Sequence, residues 1–242
     1  MNCPRPFPSR VRALLIAFLP LLLALAPGWA PSSTLAPEPS VRPGINAPYA
    51  HPDVSQWIAV FEREGREIWD QREAIVAALN LKPGMVVADV GAGTGFFARL
   101  FAHRVGPGGR VYAVDIAREF VEAILRRSEQ DGQSWIQGIV NPPDRTGLPP
   151  GTVDLVFTSD TYHHFEYPRA MLASIHRGLK SGGRFVVVDY ERIPGQSSAW
   201  VMAHVRAGKE TVIREVEAAR FRLVEDVPLL RENYFLIFER VD

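Results

Sequence analysis

Three glycines and two acids carry the first chemical signal in this 242-residue chain. Residues 86–97 read Val-Val-Ala-Asp-Val-Gly-Ala-Gly-Thr-Gly-Phe-Phe. An apolar run leads into a glycine turn that opens a helical pattern. Glycine lets backbone approach a ligand closely, and the first N–H groups of a helix have no partner within it. The spacing is G-x-G-x-G, with Asp89 two residues before Gly91. A dinucleotide fingerprint would need G-x-G-x-x-G, and position 96 is Phe. An acid at position 89 would sit poorly beside a pyrophosphate and well beside an ammonium or sulfonium group. Asp115 follows at the end of the next apolar run, where a carboxylate can accept hydrogen bonds from two ribose hydroxyls. Together these residues predict a site for a nucleoside cofactor.

Such a loop works only at the end of a strand, so the elements around it must supply one. Met85–Val90, Val111–Ile116, Trp135–Val140, Val153–Ser159 and Phe185–Asp189 read as buried strands. Phe96–Val105, Arg118–Arg127, Pro168–Leu179 and Ala199–Ala219 read as helices. Strands alternating with helices predict a parallel sheet covered on both faces. Phe221–Pro228 and Tyr234–Val241 are too close for a helical crossover and predict an antiparallel hairpin at the sheet edge. The expected fold is α/β: a Rossmann-like, doubly wound, seven-stranded sheet, mostly parallel. Before it, Trp57, Val60, Phe61 and Ile68, then Ile75, Val76 and Leu79, suit one or two amphipathic helices broken near Gly65.

The glycine segment Asp89–Gly95 resembles the first motif of class I S-adenosylmethionine-dependent methyltransferases. Asp115 in Val-Tyr-Ala-Val-Asp-Ile resembles that family's ribose-binding acid. Leu148-Pro149 with Val153–Val156 resembles the lead into its fourth strand, and Leu179–Arg184 the turn before its fifth. The resemblance covers about residues 66–241 and is nearest to small-molecule enzymes of the ubiquinone-biosynthesis-like group. It implies S-adenosylmethionine as cofactor and a small-molecule methyl acceptor. It implies that Gly91, Ala92, Gly93, Thr94 and Gly95 line the cofactor. Asp89 would face the methionine end, and Asp115 with Ile116 the ribose. After strand three the family commonly has an acid for the adenine amino group; here Asn141 stands in that region, with its amide oxygen or backbone as the available contact. Alternatives of other classes are a binding or sensor module without turnover and an NAD-dependent oxidoreductase, the latter disfavoured by the glycine spacing.

Methyl transfer is an in-line displacement, so the chain must position an acceptor and can remove a proton from it. The fourth strand ends in Ser-Asp-Thr-Tyr-His-His-Phe-Glu, which makes Asp160, Tyr162, His163 and His164 the catalytic candidates. Either histidine suits a base near neutral pH, while Tyr162 also reads as a packed wall. Asp160, one of those histidines, Asp189 and His204 are plausible metal ligands, but they are scattered and lack a local motif, so no metal is expected. Arg206 and Lys209 can neutralise an acidic acceptor or lie on a solvated helix face. In the N-terminal helical segment, Arg66, Trp69 and Gln71 can reach the cleft. Glu62, Arg63, Glu64 and Glu67 read as a charged face.

Composition narrows the partners. Lysine plus arginine equal aspartate plus glutamate, 27 each, and no basic block stands out. Nucleic-acid binding, which needs a basic footprint, is not expected. A single cysteine, Cys3, excludes a disulfide scaffold and a cysteine-based zinc site. The first fifty residues hold 10 of the 20 prolines. Arg5, Arg10 and Arg12 precede the apolar run 13–26, which reads as a secretory signal over residues 1–30. Residues 31–52 then read as a Pro-rich tether, and residues 53–242 as the methyltransferase domain with a helical cap. The run is short for a bilayer span, so no stable span is expected after signal removal. The expected location is the periplasm, or the membrane if the signal stays uncleaved; an over-extended start is the third option. Export sits in tension with a cofactor made in the cytoplasm.

Overall fold

The strands at the centre of the sheet are apolar on both faces, as burial under helices on each side requires. The computed structural model describes residues 1–2 and 38–242. From residue 3 to residue 37, the export signal and the start of the tether lie outside the described residues. Residues 38–242 form one unit. Its strands are β1 (Val86–Val90), β2 (Arg110–Asp115), β3 (Ile136–Val140), β4 (Val153–Ser159), β5 (Leu179–Tyr190), β6 (Phe221–Asp226) and β7 (Asn233–Arg240). Its helices are α1 (Val54–Phe61), α2 (Glu67–Asp70), α3 (Arg72–Ala78), α4 (Phe96–Val105), α5 (Arg118–Gln130), α6 (Pro168–Gly178), α7 (Ala199–His204) and α8 (Lys209–Ala218).

The strands run in the order β3-β2-β1-β4-β5-β7-β6. β3, β2, β1, β4 and β5 are mutually parallel, and β7 is antiparallel to both its neighbours. The expected seven-stranded fold is therefore present, with one refinement. The second strand of the closing hairpin inserts beside β5, which leaves β6 at the edge. Period-two alternation divides the core. Val87, Leu155, Phe157, Val186 and Phe235 pack with α3 and α4, while Ala88, Val156, Phe185, Val187 and Leu236 pack with α6 and α8. The order reverses between β1 and β4. That switch point opens a crevice at the carboxyl ends of the strands, the usual ligand position in such sheets.

Leu179–Arg184, expected as the turn before the fifth strand, already belongs to β5, which pairs with β4 from Leu179 on across an irregularity. Two further segments depart from the sequence reading. The helix expected over residues 199–219 is two helices, α7 and α8. Val205 turns to extended backbone after His204, and Gly208 caps α8. Val205 and Ala207 bury themselves in the break, and Arg206 turns inward to pair with Glu215 at 2.9 and 3.0 Å. The second departure is the tether. From Glu38 on, the Pro-rich segment is docked. The Glu38 carboxylate accepts from the backbone N–H groups of Arg169 and Ala170 at the start of α6. Val41 N–H donates to the Glu166 carbonyl, the Asn46 amide donates to Glu166 and to the His164 carbonyl, and Ile45 is buried. Among the described residues, no helix is long and apolar enough to cross a membrane.

Candidate functional site

At the end of β1 the chain must turn sharply into α4, and three glycines with positive φ make the turn. Gly91 and Ala92 donate their N–H groups to the Val114 carbonyl, which ties the loop to β2. A Cβ on Gly91 would lie 2.2 Å from Thr161 Cγ2, so the close approach of the β4 turn demands glycine there. Gly95 caps α4 in the left-handed region, and a Cβ there would meet Ile124 at 2.4 Å. Register then sets the acids. Asp89 lies one residue from the end of β1, and Asp115 ends β2.

Asp115 Oδ2 accepts the Gly93 N–H at 2.8 Å, and Oδ1 accepts that of Ala117 at 2.9 Å. Each oxygen keeps a further lone pair for a ligand hydroxyl. Burial pushes Asp115 up to about 6 against these hydrogen bonds. Asp89 is buried, with Oδ2 unpartnered among the described residues. Burial first, and the neighbouring Asp115 second, push it up to about 8. A buried acceptor without a donor is costly, and a cation entering the cleft relieves both causes at once.

A cleft of about 1160 Å³ joins this end to the turn after β4. It is lined by Asp89, Gly91, Ala92, Gly93, Asp115 and Ile116 at one end, and by Asp160, His163, His164 and His204 at the other. Of the expected cofactor residues, Thr94, Gly95 and Asn141 do not line it. The Asn141 amide donates to the carbonyls of Pro142 and Arg145, which holds its own loop in shape. These bonds use the amide nitrogen only and leave the amide oxygen, the adenine contact foreseen for Asn141, unengaged by them.

At the acceptor end the candidates separate. Asp160, itself at positive φ, accepts from Arg66 at 2.6 Å and from the Asn233 amide at 2.8 Å. It is a clamp for the cap rather than a free acid. Tyr162 is buried away from the cleft, and its hydroxyl donates to Glu215 at 2.8 Å. The catalytic role foreseen for Tyr162 therefore has no access to the cleft. His163 is buried, and its Nδ1–H donates to Asp189 Oδ1 at 2.7 Å. Its backbone N–H donates to the other Asp189 oxygen at 3.0 Å. Burial would raise Asp189, but His163 and these hydrogen bonds hold it below the usual carboxylate range. Burial, then the neighbouring His163 and His204, push His164 down to about 3; burial also lowers His204. Both rings are neutral near pH 7.

The cap is bound to α4, α5 and the turn between β6 and β7 by charges read from sequence as a solvated face. Glu62 pairs with Arg127 at 3.3 Å and with Arg99 at 3.7 Å. The Glu67 carboxylate accepts three backbone N–H groups from Arg231, Glu232 and Asn233. Arg66 reaches the cleft as foreseen. Trp69 instead packs against Phe96 in the core, and Gln71 does not line the cleft. Arg206 faces Glu215, and Lys209 pairs with Asp226 at 2.6 Å, so neither is free for an acidic acceptor. Sequence reasoning missed the aromatic wall of Tyr49, Trp57, Phe61, Phe120 and Trp200. On helical spacing, an aromatic residue facing a cleft has the same pattern as one facing the core.

Residues 88–187 match a family described as "Methyltransferase domain". A ubiquinone/menaquinone biosynthesis C-methyltransferase from Bordetella avium is 30% identical over 118 residues, 49% of this chain and 46% of that one. A protein of the same description from Cupriavidus pinatubonensis is 29% identical over 184 residues, covering 66% and 73% of the two chains. The chain thus spans about half the length of the first of these relatives. An S-adenosylmethionine-dependent methyltransferase structure from Aquifex aeolicus is 25% identical with a TM-score of 0.69, covering 78% of this chain and all of that one. The fold is thus the seven-stranded, Rossmann-like methyltransferase fold, and these likenesses support S-adenosylmethionine as the cofactor.

Proposed function

We propose that the whole chain is an S-adenosylmethionine-dependent methyltransferase acting on a small-molecule acceptor. The observation that carries this reading is the pairing of Asp89 and Asp115 across the glycine turn. One carboxylate oxygen is buried without a partner, and the other acid is already anchored by the Gly93 N–H. When bound, adenosylmethionine supplies a methyl carbon activated by its sulfonium, so the chain need not activate the leaving group. Asp89 then ionises opposite the ammonium group, and Asp115 receives the ribose hydroxyls on its remaining lone pairs. Ile116 and Phe120 offer apolar contact for the base.

The remaining work is to hold an acceptor in line and exclude water. Tyr49, Trp57 and Trp200 give the mouth an aromatic lining, which suits an organic body of modest size. Arg66 is already spent on Asp160. These features support a small molecule over a nucleic acid. Relatives named for C-methylation in quinone biosynthesis make planar rings a sensible start for an acceptor panel of phenols, amines and thiols.

Calorimetric titration of adenosylmethionine and adenosylhomocysteine into protein lacking residues 1–32 tests the reading. Micromolar binding is expected. Asp115→Ala should weaken it on the order of 100-fold, the loss of charge-assisted hydrogen bonds in a buried site. A folded protein that binds neither compound at millimolar concentration sinks the proposal.

Export belongs to the same proposal and rests on Arg5, Arg10 and Arg12 ahead of the apolar run 13–26. N-terminal sequencing of protein recovered from a periplasmic fraction should find the first thirty or so residues removed. An intact Met1 in the cytosolic fraction would overturn it.

A further inference from the structure

His163 and His164 follow β4, whereas His204 ends α7, some forty residues on. The fold brings them together. One ring nitrogen from each lies within 4.8 Å of the others. The ring centroids of His163 are 4.3 Å from His164 and 5.1 Å from His204, and the latter two are 5.2 Å apart. Asp189 fixes the first ring. Because Nδ1–H donates to the carboxylate, the lone pair of the neutral ring must lie on Nε2. That Nε2 is buried and has no hydrogen-bond partner among the described residues, and neither does the buried Nδ1 of His164. Two orphaned imidazole nitrogens side by side leave polar groups unsatisfied at one spot. A species that accepts electron pairs from both satisfies them together.

We propose that His163, His164 and His204 form a binding site for a divalent metal ion of the zinc class, with an open coordination position toward the cleft. Imidazole ligands suit such borderline ions, whereas calcium and magnesium prefer oxygen. Three protein nitrogens and one open position is the pattern of catalytic rather than structural zinc. Asp189 supplies what a metal-bound histidine almost always has, a carboxylate on its other ring nitrogen. Its charge also lies one ring away, as partial compensation for the cation.

Tetrahedral bonds of about 2.0–2.1 Å place nitrogens roughly 3.4 Å apart, so binding must draw the cluster in by about an ångström. His204 is the ring free to do so. It is half-buried at the end of a six-residue helix and stacks on exposed Trp200 at 4.6 Å. All three histidines line the cleft that also holds Asp89 and Gly91. If the methyltransferase reading holds, the open position meets the acceptor. A hydroxyl or thiol held there would give its proton to solvent more readily, and its electron pair would form the bond to the methyl carbon as the methyl–sulfur bond breaks and adenosylhomocysteine leaves.

The test uses the full mature chain without any histidine tag, stripped with chelator and titrated with Co2+ and then Zn2+. The expected result is one equivalent of Co2+ with the intense visible absorption of four-coordinate cobalt, displaced by Zn2+. Trp200 fluorescence should be quenched on the same isotherm. His204→Ala and His163→Ala should each weaken uptake by well over about tenfold, and Asp189→Asn by about 10–100-fold. Exposed His103→Ala should leave uptake unchanged. Adenosylhomocysteine binding by His204→Ala confirms that the variant is folded. Absence of stoichiometric uptake, or uptake indifferent to His163 and His204, overturns the site. Adenosylhomocysteine binding without metal uptake sinks the metal site alone. Metal uptake without nucleoside binding sinks the methyltransferase reading and leaves the site standing.

Discussion

Asp89 is a carboxyl group with a proton to lose. Burial and Asp115 hold it at about 8, so near pH 7 the free protein carries it largely neutral. An ammonium group arriving beside it favours the carboxylate and draws its affinity for protons down. Binding of the cofactor near pH 7 should therefore release close to one proton. Affinity should rise with pH, approaching tenfold per unit, and level off above about 8. Calorimetry in two buffers of different ionisation enthalpy counts the proton directly. Asp89→Asn should abolish the release and cost more affinity at pH 8 than at pH 6. Wild-type binding with no proton released would mean that the ammonium lies elsewhere. Asp89 and Asp115 were legible in sequence because their chemistry is local: an acid at a strand end beside glycine. The histidine cluster was legible only as a scattered set. Nothing in the chain before folding says that α7 stops at His204 and turns that ring toward the β4 turn.

Elements that cover the cleft obey a different rule from those that form its floor. The strands and the long helices follow hydrophobic periods, and their positions agree with the sequence within one or two residues at most ends. Residues 38–52 follow no period, so their Pro, Ser and Ala content suggested a tether. Their attachment depends on single residues instead: Glu38 on the start of α6, Asn46 on Glu166 and His164, and Ile45 in the core. Tyr49 extends this strap to the site, lying 4.8 Å from Trp57 and 5.3 Å from His164. A chain beginning at Asp53 should then melt below one beginning at Ser33. The charge-assisted hydrogen bonds and the buried isoleucine together are worth a few kcal/mol, a fall on the order of 5–10 °C for a domain of this size. Differential scanning calorimetry of the two proteins decides it. Equal melting temperatures would restore the tether reading for the whole segment.

At the scale of the molecule, sheet and site make opposite demands. Register places Asp89 and Asp115 on neighbouring strands, inside a core that stabilises the fold by excluding water. The fold is thus built around two carboxyl groups that prefer to be neutral, and its stability must depend on pH through them. For Asp89, the folded state holds a proton between the unfolded value of 3.8 and about 8. Its contribution is fully present below that unfolded value, is lost as pH rises, and is gone once pH passes the folded value. Asp115 acts likewise but finishes near 6. His164 and His204, lowered by burial, work in the opposite direction below their ordinary value of 6.5. Asp189, lowered, contributes in full above the carboxylate range and loses its share only in acid. Between pH 6.5 and 8, Asp89 still contributes, beside Asp160, which burial also raises against its pairing with Arg66. One proton over that window is worth about 2 kcal/mol, which for a domain of this size lowers the melting temperature by about 4–8 °C. The ligand-free protein should show that fall and then a plateau above about pH 8.5. Saturating adenosylhomocysteine, whose ammonium keeps Asp89 ionised, should flatten the curve, and Asp89→Asn should flatten it without ligand. A ligand-free melting temperature constant from pH 6.5 to 8 would show that Asp89 is already ionised. The unpartnered oxygen would then owe its tolerance to water or a counter-ion rather than to a retained proton.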